Sequence, residues 1–422
     1  MTNRFCGLDF GTSNSTIGIN VGGQARLCTL EDGKTTLPSA VFFDYERSEV
    51  RFGRDAIGAY IDGIEGRLLR AIKSVLGSSL ISETTQVQRR RIAFPEIIGM
   101  LLHRLKTSAE EQLGQPIDSV VLGRPVRFVD NDDAADRQAQ QELVDIATNI
   151  GFRHVEVQFE PVAAALDYEM SLSREELAIV VDLGGGTSDF AVTRLSPERS
   201  RHADRSEDIL GRSGIHIGGT DFDRMLSVAH VMPELGSRAE IGPKQLNLPA
   251  WMFQNLATWH RIPSLYTTAN LTYLRSTRRM ADKPELIDRL IDILVHRNGH
   301  RLNAEVEAAK VALSSSNAAT IHVPVEMPID VPVTRAQLEE AFRGGITEII
   351  RGIDRCLTEA GIAGGRVNSV FLTGGSTAIP AVRARILEHL PHAKPVDGDV
   401  FGSVGLGLAI DATRRFGAGK SR

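Results

Sequence analysis

Two short segments of this sequence bring carboxylates, glycines and hydroxyl groups together in the same order. Residues 7–14 read Gly-Leu-Asp-Phe-Gly-Thr-Ser-Asn, and residues 181–189 read Val-Asp-Leu-Gly-Gly-Gly-Thr-Ser-Asp. In each segment an apolar strand delivers an aspartate into a glycine-rich turn with a Thr-Ser pair, and a second short strand follows. This pattern predicts a β-hairpin with a glycine-rich tip, made twice in one chain.

The two tips contain the groups needed to hold a polyphosphate and a metal ion. Glycines let the backbone approach closely, so that successive N–H groups can point at a phosphate. Because phosphates and carboxylates repel each other, a partly hydrated Mg²⁺ ion is needed between them. We therefore expect the tips to clamp a nucleoside polyphosphate, with Asp9 and Asp182 on either side of the metal. The remaining polar side chains of the tips are Thr12, Ser13, Thr187 and Asp189.

The chain around these hairpins alternates between predicted helices and strands, as α/β folds do. Apolar spacing predicts helices over residues 101–113, 137–150, 161–168 and 338–360. Short apolar runs predict strands over residues 119–123, 155–159 and 369–372. Two matching hairpins in such a chain indicate two related halves that face each other. We place lobe I at residues 1–172 and lobe II at residues 173–422.

Residues 224–303 differ in composition from the rest of lobe II. They contain both tryptophans, Trp251 and Trp259, together with several prolines and several helical segments. We predict that this stretch is a largely helical outer subdomain. The last helix of the chain, which runs to about Phe416, is a candidate to pack back on lobe I.

Composition and charge argue against several classes of protein. No apolar run reaches the ~18–20 residues of a membrane span, so no membrane partner is expected. A formal net charge of −5 argues against a dedicated nucleic-acid binder. The three cysteines are widely spaced and form no Cys-x-x-Cys pair, which favours a reduced, cytoplasmic setting.

Further segments resemble motifs of the DnaK-like heat-shock chaperone ATPases, a branch of the actin-like ATPase superfamily. The order and approximate spacing hold from Gly7 to about Ala409, although the stretch between Asp223 and Glu307 is longer than in that family. The resembling segments are 71–77, 123–125 with 137–138, 159–168, 216–223, 307–315 and 371–376. The resemblance implies a two-lobed actin-like (ribonuclease-H-like) fold with a helical insertion in the second lobe. It points to a truncated, YegD-type member.

The resemblance also implies ATP or ADP with Mg²⁺ as cofactors and gives individual residues roles. Lys73 would face the γ-phosphate and stabilise the charge that develops there. Glu160 and Asp182 would orient the attacking water, and Thr187 completes the implied catalytic set. Mg²⁺ would be held, mainly through waters, by Asp9, Asp182 and Asp189. The implied nucleotide-binding residues are Gly11, Thr12, Ser13, Asn14, Gly184, Gly185, Gly186, Gly218, Gly219, Glu307, Lys310, Ser314, Gly374, Gly375 and Ser376.

Two departures from the family pattern matter for function. Ala378 stands where the family has an arginine that stacks on the adenine base. We therefore expect weaker nucleotide affinity, or another side chain that stacks. The sequence closes with residues 417–422 after its last helix, so we expect no β-sandwich substrate-binding domain and no client binding in the usual mode.

The leading hypothesis is an ATP-binding, slowly hydrolysing, chaperone-like switch. Its partners would be the nucleotide and a protein partner or co-chaperone that reads the outer subdomains. Three alternatives stay open: a filament-forming actin or MreB relative, a small-molecule kinase of the same superfamily, and a pseudo-ATPase that binds nucleotide without turnover. The segment around Lys73 and the element at 218–223 argue against a filament. No sugar pocket with a catalytic aspartate is evident for a kinase.

Overall fold

The computed structural model of the chain describes residues 4–129, 132–202, 204–396 and 402–417. The closing residues 418–422, on which the expectation about the chain end partly rests, lie outside these ranges. The strands are β1 (Phe5–Phe10), β2 (Asn14–Val21), β3 (Gln24–Leu27), β4 (Leu37–Pro38), β5 (Ala40–Asp44), β6 (Glu49–Phe52), β7 (Gly66–Arg70), β8 (Thr84–Val87), β9 (Arg90–Ala93), β10 (Ser119–Arg124), β11 (His154–Phe159), β12 (Glu176–Leu183), β13 (Ser188–Leu195), β14 (Ile209–Ile215), β15 (Ala318–Val323), β16 (Ile329–Thr334), β17 (Ser369–Thr373) and β18 (Lys394–Val396). The helices are α1 (Gly53–Ile61), α2 (Phe94–Leu113), α3 (Asp133–Asn149), α4 (Glu160–Ser171), α5 (Gly219–Leu226), α6 (Ala250–Leu256), α7 (Thr268–Arg278), α8 (Pro284–Val295), α9 (Gly299–Ser315), α10 (Arg335–Ala360), α11 (Pro380–His389) and α12 (Ser403–Phe416).

Two larger sheets are built on the same plan. The first has the order β11-β10-β1-β2-β3, with β4 added to β2, and the second has the order β14-β13-β12-β17-β18. In the first sheet β1 is antiparallel to β2 and parallel to β10. In the second sheet β12 is likewise antiparallel to β13 and parallel to β17. The internal repeat therefore extends from the hairpins to whole sheets, and the predicted two-lobed α/β architecture is confirmed.

Both predicted hairpins are present, and their tips have equal length. Phe10 pairs with Ser15 in the first hairpin, and Leu183 pairs with Ser188 in the second. The tips are therefore residues 11–14 and 184–187. The next pair along each hairpin contains an aspartate: Asp9 lies opposite Thr16, and Asp182 lies opposite Asp189. The repeat thus places an aspartate at the equivalent end of the central strand in each sheet.

The helix boundaries follow local signals in the sequence. Helix α2 begins at Phe94, earlier than the predicted start at residue 101, because Pro95 fits the first turn, where no N–H is needed. It ends at Gly114, whose φ of 71° is the left-handed conformation that glycine adopts easily. Helix α10 begins after Thr334, which forms a capping box with Gln337.

Each large sheet has its own hydrophobic core, and the segment 224–303 shares the core of the second sheet. Helices α6, α7 and α8 and the start of α9 lie within this segment, so its predicted helical character is confirmed. Met252 and Phe253 of α6, Leu274 of α7 and Ile287 of α8 belong to the same buried cluster as Phe190 of β13. The insertion is therefore packed firmly onto the second lobe.

Helix α12 returns from the second sheet to the first. It packs against α4, β1, β2 and β10. Close approach depends on glycine, because a Cβ at Gly407 would lie 1.9 Å from the carbonyl oxygen of Ala163. Leu408 and Ala412 of this helix are buried together with Phe5 and Val121 of the first sheet. The C-terminal helix therefore ties the two lobes together beneath the cleft.

The cysteines and the helices bear on two further expectations. Cys6, Cys28 and Cys356 are all buried and unpaired, and none forms a disulfide. Within the part of the chain that the structure describes, none of the helices combines the length and the apolar character needed to cross a lipid bilayer.

Candidate active site

The two hairpin tips meet face to face between the sheets. A Cβ at Gly185 would lie 1.9 Å from Ser13 Oγ, so only glycine allows the tips to approach this closely. The segment at the start of α5 is bonded to the second tip: the N–H of Gly219 donates to the oxygen of Gly184 at 2.9 Å, and the N–H of Thr220 donates to the oxygen of Gly185 at 2.7 Å. The structure therefore brings Gly11–Asn14, Gly184–Thr187 and Gly218–Gly219 to one place.

Ser39 supports the first tip from behind. Its hydroxyl donates to the oxygen of Gly11 at 2.6 Å, and its N–H donates to the oxygen of Ser13 at 2.8 Å. With these carbonyls engaged, the tip keeps a fixed shape before any ligand arrives. Sequence reasoning missed Ser39, because nothing in its neighbourhood resembles a binding motif.

Carboxylates gather below the tips, where burial and neighbouring charges raise the pKa of Asp9 and Asp182. Burial, and then the charge of Glu160, raise the pKa of Asp9 to about 7. Burial, and then the charges of Asp189 and Glu160, raise the pKa of Asp182 to about 8. Four acidic side chains therefore share a small volume, and the charged forms of Asp9 and Asp182 are disfavoured there. The Thr187 hydroxyl donates to Asp189 Oδ2 at 3.2 Å and extends this group toward the second tip.

Lys73 is the cation that faces the carboxylates. Its Nζ lies 2.7 Å from Glu160 Oε1, and the residue is only 8% exposed. Burial alone would lower the pKa of Lys73, but the charges of Glu160 and Asp9 outweigh burial and raise it. The side chain is presented by a short 3₁₀ turn over residues 72–75, which Ala71 enters with a left-handed φ of 54°. This strained turn fixes the lysine against the carboxylates.

The carboxylates suit a hydrated divalent ion better than a directly ligated one. In the described ranges, no group of three or more His, Cys, Asp or Glu side chains is arranged as a metal site. However, a divalent ion at this place would stabilise the charged forms of Asp9 and Asp182, which burial disfavours. The donor set therefore fits Mg²⁺, which usually keeps several of its waters.

The predicted nucleoside-binding residues lie on the second-lobe side of the tips. Lys310 Nζ of α9 is 2.7 Å from Asp223 Oδ1 and donates to the oxygen of Gly219 at 3.2 Å. Ser376 Oγ donates to the oxygen of Gly184 at 3.4 Å. Glu307 and Ser314 lie one turn on either side of Lys310 and therefore share its face of α9.

The turn at Gly374–Ser376 is held against the carboxylates. A Cβ at Gly374 would lie 2.5 Å from Asp182 Oδ1, and its φ of 80° also requires glycine. Asp223 was not predicted as a site residue, although it closes the quoted segment 216–223. Burial raises the pKa of Asp223 to about 6, despite its contact with Lys310. Ala378, at the end of this turn, is exposed and offers no planar cation.

An aromatic cluster joins the outer parts of the two lobes above the tips. The Tyr60 ring of α1 lies 4.7 Å from the His300 ring of α9 and 6.5 Å from the Trp259 ring, centroid to centroid. The guanidinium of Arg70 stacks over Trp259 at 4.7 Å. His300 Nε2 must carry the hydrogen, because it lies 3.1 Å from the oxygen of Trp259, which can only accept. Burial lowers the pKa of His300 to about 4.

All the predicted site residues thus lie around one cleft, and their individual roles stay predictions. In comparison with known protein families, the chain matches the family described as Hsp70 protein over residues 5–95, 81–250 and 283–414. The match covers both hairpins, Lys73, α9 and the turn at Gly374–Ser376. The segment 251–282, which includes Trp259, falls between the matched ranges. The chain therefore belongs to the Hsp70 family, and it forms a chaperone-type ATP-binding ATPase domain with the two-lobed actin-like fold.

Proposed function

We propose that the chain binds ATP and ADP with Mg²⁺ between the two hairpin tips and hydrolyses ATP slowly. One observation carries the proposal: two equivalent hairpins bring Asp9 and Asp182 together beside Glu160 and the buried cation Lys73. Carboxylates crowded in this way favour a divalent cation, and the glycine tips above them favour an anion. A metal–polyphosphate complex satisfies both preferences.

Each group around the cleft has a distinct task in this proposal. Asp9, Asp182 and Asp189 would hold Mg²⁺ mainly through its waters, and the bound ion would neutralise phosphate charge. Lys73 would stabilise the charge on the γ-phosphate, while Glu160, fixed by its ion pair with Lys73, would orient the attacking water. Phosphoryl transfer depends mainly on positioning and electrostatics. We expect low turnover, because Lys73 is the one cation, within the described ranges, whose charge acts on both Asp9 and Asp182.

The nucleoside would lie between α9 and the turn at Gly374–Ser376. Lys310 already donates a hydrogen bond to Gly219 there, so the surface on which the base and ribose would lie is formed without the nucleotide. Because Ala378 provides no stacking guanidinium, the base would lose the ~0.5–2 kcal/mol that a cation–π contact supplies. We therefore expect weaker affinity than a site with that arginine would have.

The outer helical segment is the surface we propose for a protein partner. Large apolar side chains are exposed along it: Leu246, Trp251, Tyr273 and Met280. Four large apolar side chains exposed on one segment favour an interaction site there, although each alone would not. The double variant Trp251→Ser/Met280→Ser should keep its ATPase activity and lose stimulation by a co-chaperone that activates the wild type. Unchanged stimulation would contradict this surface.

A single-turnover assay with radiolabelled ATP tests hydrolysis and separates the alternatives. We expect slow, Mg²⁺-dependent formation of inorganic phosphate, no ATP-dependent pelleting, and no acceleration by candidate sugars. ATP-dependent pelleting would favour a filament, and transfer of label to a sugar would favour a kinase. Saturable ATP binding with no phosphate formed would indicate a pseudo-ATPase.

A further inference from the structure

A cavity of about 450 Å³ opens beside the candidate active site, and the proposed function leaves it without a role. It lies between the two lobes. Its lining includes the acidic side chains of Glu160, Asp182 and Asp189 and the basic side chains of Arg127, Arg212 and Arg355. We call the acidic part the inner end of the cavity and the basic part its outer end. The cavity therefore connects the place where the γ-phosphate would be cleaved with a group of arginines near the surface.

Strand pairing explains why the cavity starts at Asp189. Asp189 of β13 lies opposite Gly214 of β14, and Ala191 lies opposite Arg212. Paired residues share a face of the sheet, so Arg212 lies about 7 Å from Asp189 along the same face. Gly214 has no side chain to fill this position, and a Cβ there would meet Asp189 Oδ1 at 3.4 Å. The opening beside the carboxylate is therefore a consequence of glycine at residue 214.

The outer end of the cavity has a net positive charge. The Arg212 Nε lies 3.8 Å from Glu359 Oε1, which leaves a weak ion pair. Arg355 lies one turn before Glu359 on the same face of α10. The only acidic residue at the outer end of the lining is Glu359, among the residues that the structure describes.

Arg127 adds a third guanidinium to the lining. Its Nη1 lies 2.6 Å from Asp133 Oδ1, an atom of a side chain that is 69% exposed. Water competes with an ion pair that is this exposed, so the pair contributes little. The guanidinium can therefore turn to a phosphate, which arginine binds in bidentate geometry.

The chemistry at the inner end supplies such an anion. Hydrolysis breaks the bond between the γ-phosphorus and its bridging oxygen, which leaves with ADP. Water provides the new oxygen of inorganic phosphate, and one proton is released. The phosphate is then repelled by the carboxylates and attracted by the arginines, which recognise phosphate in bidentate geometry. ADP would still lie on the opposite side, between the tips.

We propose that this cavity binds inorganic phosphate after cleavage and is the route by which phosphate leaves while ADP stays bound. The inference rests on the proposed function for the origin of the phosphate. It assigns Arg127, Arg212 and Arg355 to a product-binding site that is separate from the nucleotide cradle.

Two variants test the route from its two ends. Gly214→Leu fills the inner opening without a positive φ to strain it, and Arg212→Gln/Arg355→Gln removes charge from the outer end. Two substitutions serve as matched controls: Gly344→Leu, at a glycine of α10 whose Cβ would meet nothing within 4 Å, and Arg351→Gln, at an exposed arginine of the same helix.

Chemistry and release are measured in the same single turnover. Acid quench follows cleavage, and a fluorescent phosphate sensor follows release. In Gly214→Leu, whose side chain would lie against Asp189, we expect phosphate release to slow at least tenfold more than cleavage does, with both rates unchanged in the two controls. Release at the wild-type rate would overturn the route.

A nucleotide-free measurement keeps this inference distinct from the ATPase proposal. Titration with inorganic phosphate alone should show binding to wild type that weakens at least tenfold in Arg212→Gln/Arg355→Gln and is unchanged in Arg351→Gln. Phosphate binding of this kind without any ATP hydrolysis would refute the proposed function and support the anion site. Equal phosphate affinity in wild type and the double variant would overturn the anion site, whatever the ATPase activity.

Discussion

Replacing Lys73 by methionine removes the positive charge from the candidate active site and keeps most of the side-chain volume. A preorganised group aimed at charge that develops in the transition state contributes about 10²–10³ in rate, or about 3–4 kcal/mol. We therefore expect the single-turnover rate of Lys73→Met to fall by that factor. Nucleotide binding should fall much less, because the hairpin tips and α9 are unaffected.

The same substitution has a stability cost that can be worked from the structure. Removing one partner of a buried ion pair costs about 3–5 kcal/mol, because the other charge is left uncompensated. Here the cost should lie at or below the lower end of that range. The pKa of Asp9 is already raised to about 7, so the carboxylates can take up a proton when the lysine is lost.

Lys106→Met is the matched control. Lys106 is also 8% exposed, and its Nζ lies 2.5 Å from Glu110 Oε1 in the core of the same lobe. It should therefore lose stability by a similar amount in urea unfolding, with a single-turnover rate within twofold of wild type. Equal hydrolysis by Lys73→Met and wild type would refute the role given to Lys73. An equal loss in Lys106→Met would show that the loss follows from destabilisation alone.

Three further predictions concern the cross-lobe cluster and the C-terminal helix. The pKa of His300 is about 4 in the folded chain, below the usual value of 6.5 for histidine, so the unfolded state binds more protons between these values. The contribution of neutral His300 to stability, up to about 3 kcal/mol, is present above pH 6.5 and is lost as the pH falls toward 4. In urea unfolding, the stability of His300→Gln should therefore depend less steeply on pH than that of wild type. Parallel curves for the two proteins would contradict this. Trp259→Ala removes ring contacts worth about 1–2 kcal/mol in total and should speed release of a fluorescent ADP analogue about five- to thirtyfold. The control Trp251→Ala, at a tryptophan that is 48% exposed, should leave this release rate unchanged. Equal effects of the two substitutions would show that the aromatic cluster does not hold the cleft closed. Gly407→Ala forces a Cβ against the Ala163 carbonyl and should lower the free energy of unfolding by about 1–3 kcal/mol or more. The control Gly344→Ala should be neutral or slightly stabilising. A neutral effect of Gly407→Ala would contradict the close packing of α12.

The features that could be predicted from the sequence are the local ones. A glycine-rich tip between two short apolar strands specifies a hairpin by itself, and repetition of the pattern at Asp9 and Asp182 led to two equivalent sheets. Helix ends such as Gly114 were also visible, because a left-handed residue is a local requirement. The start of α2 at Phe94 was missed, although Phe94, Ile97, Ile98 and Leu101 already have helical apolar spacing and Pro95 is acceptable in a first turn.

The features that escaped prediction depend on residues far apart in the chain. Tyr60 and His300 meet only because the two lobes fold toward each other, and no local pattern marks either residue. In the same way, the cavity arginines come from separate elements that meet through β14 and α10. Arg212 faces the cavity because of the strand register that pairs it with Ala191. Tertiary contacts of this kind are not encoded by spacing within one segment.

Calorimetric titration of the wild-type chain with ATP, in Mg²⁺ and again in EDTA, tests the central claim most directly. The crowded carboxylates and the glycine tips together predict one saturable site per chain in Mg²⁺. Without the metal, ATP should bind at least tenfold more weakly, because its phosphates would then face uncompensated carboxylates. The absence of saturable ATP binding in Mg²⁺, or equal binding in EDTA, would contradict the account of a metal–nucleotide site between the hairpins.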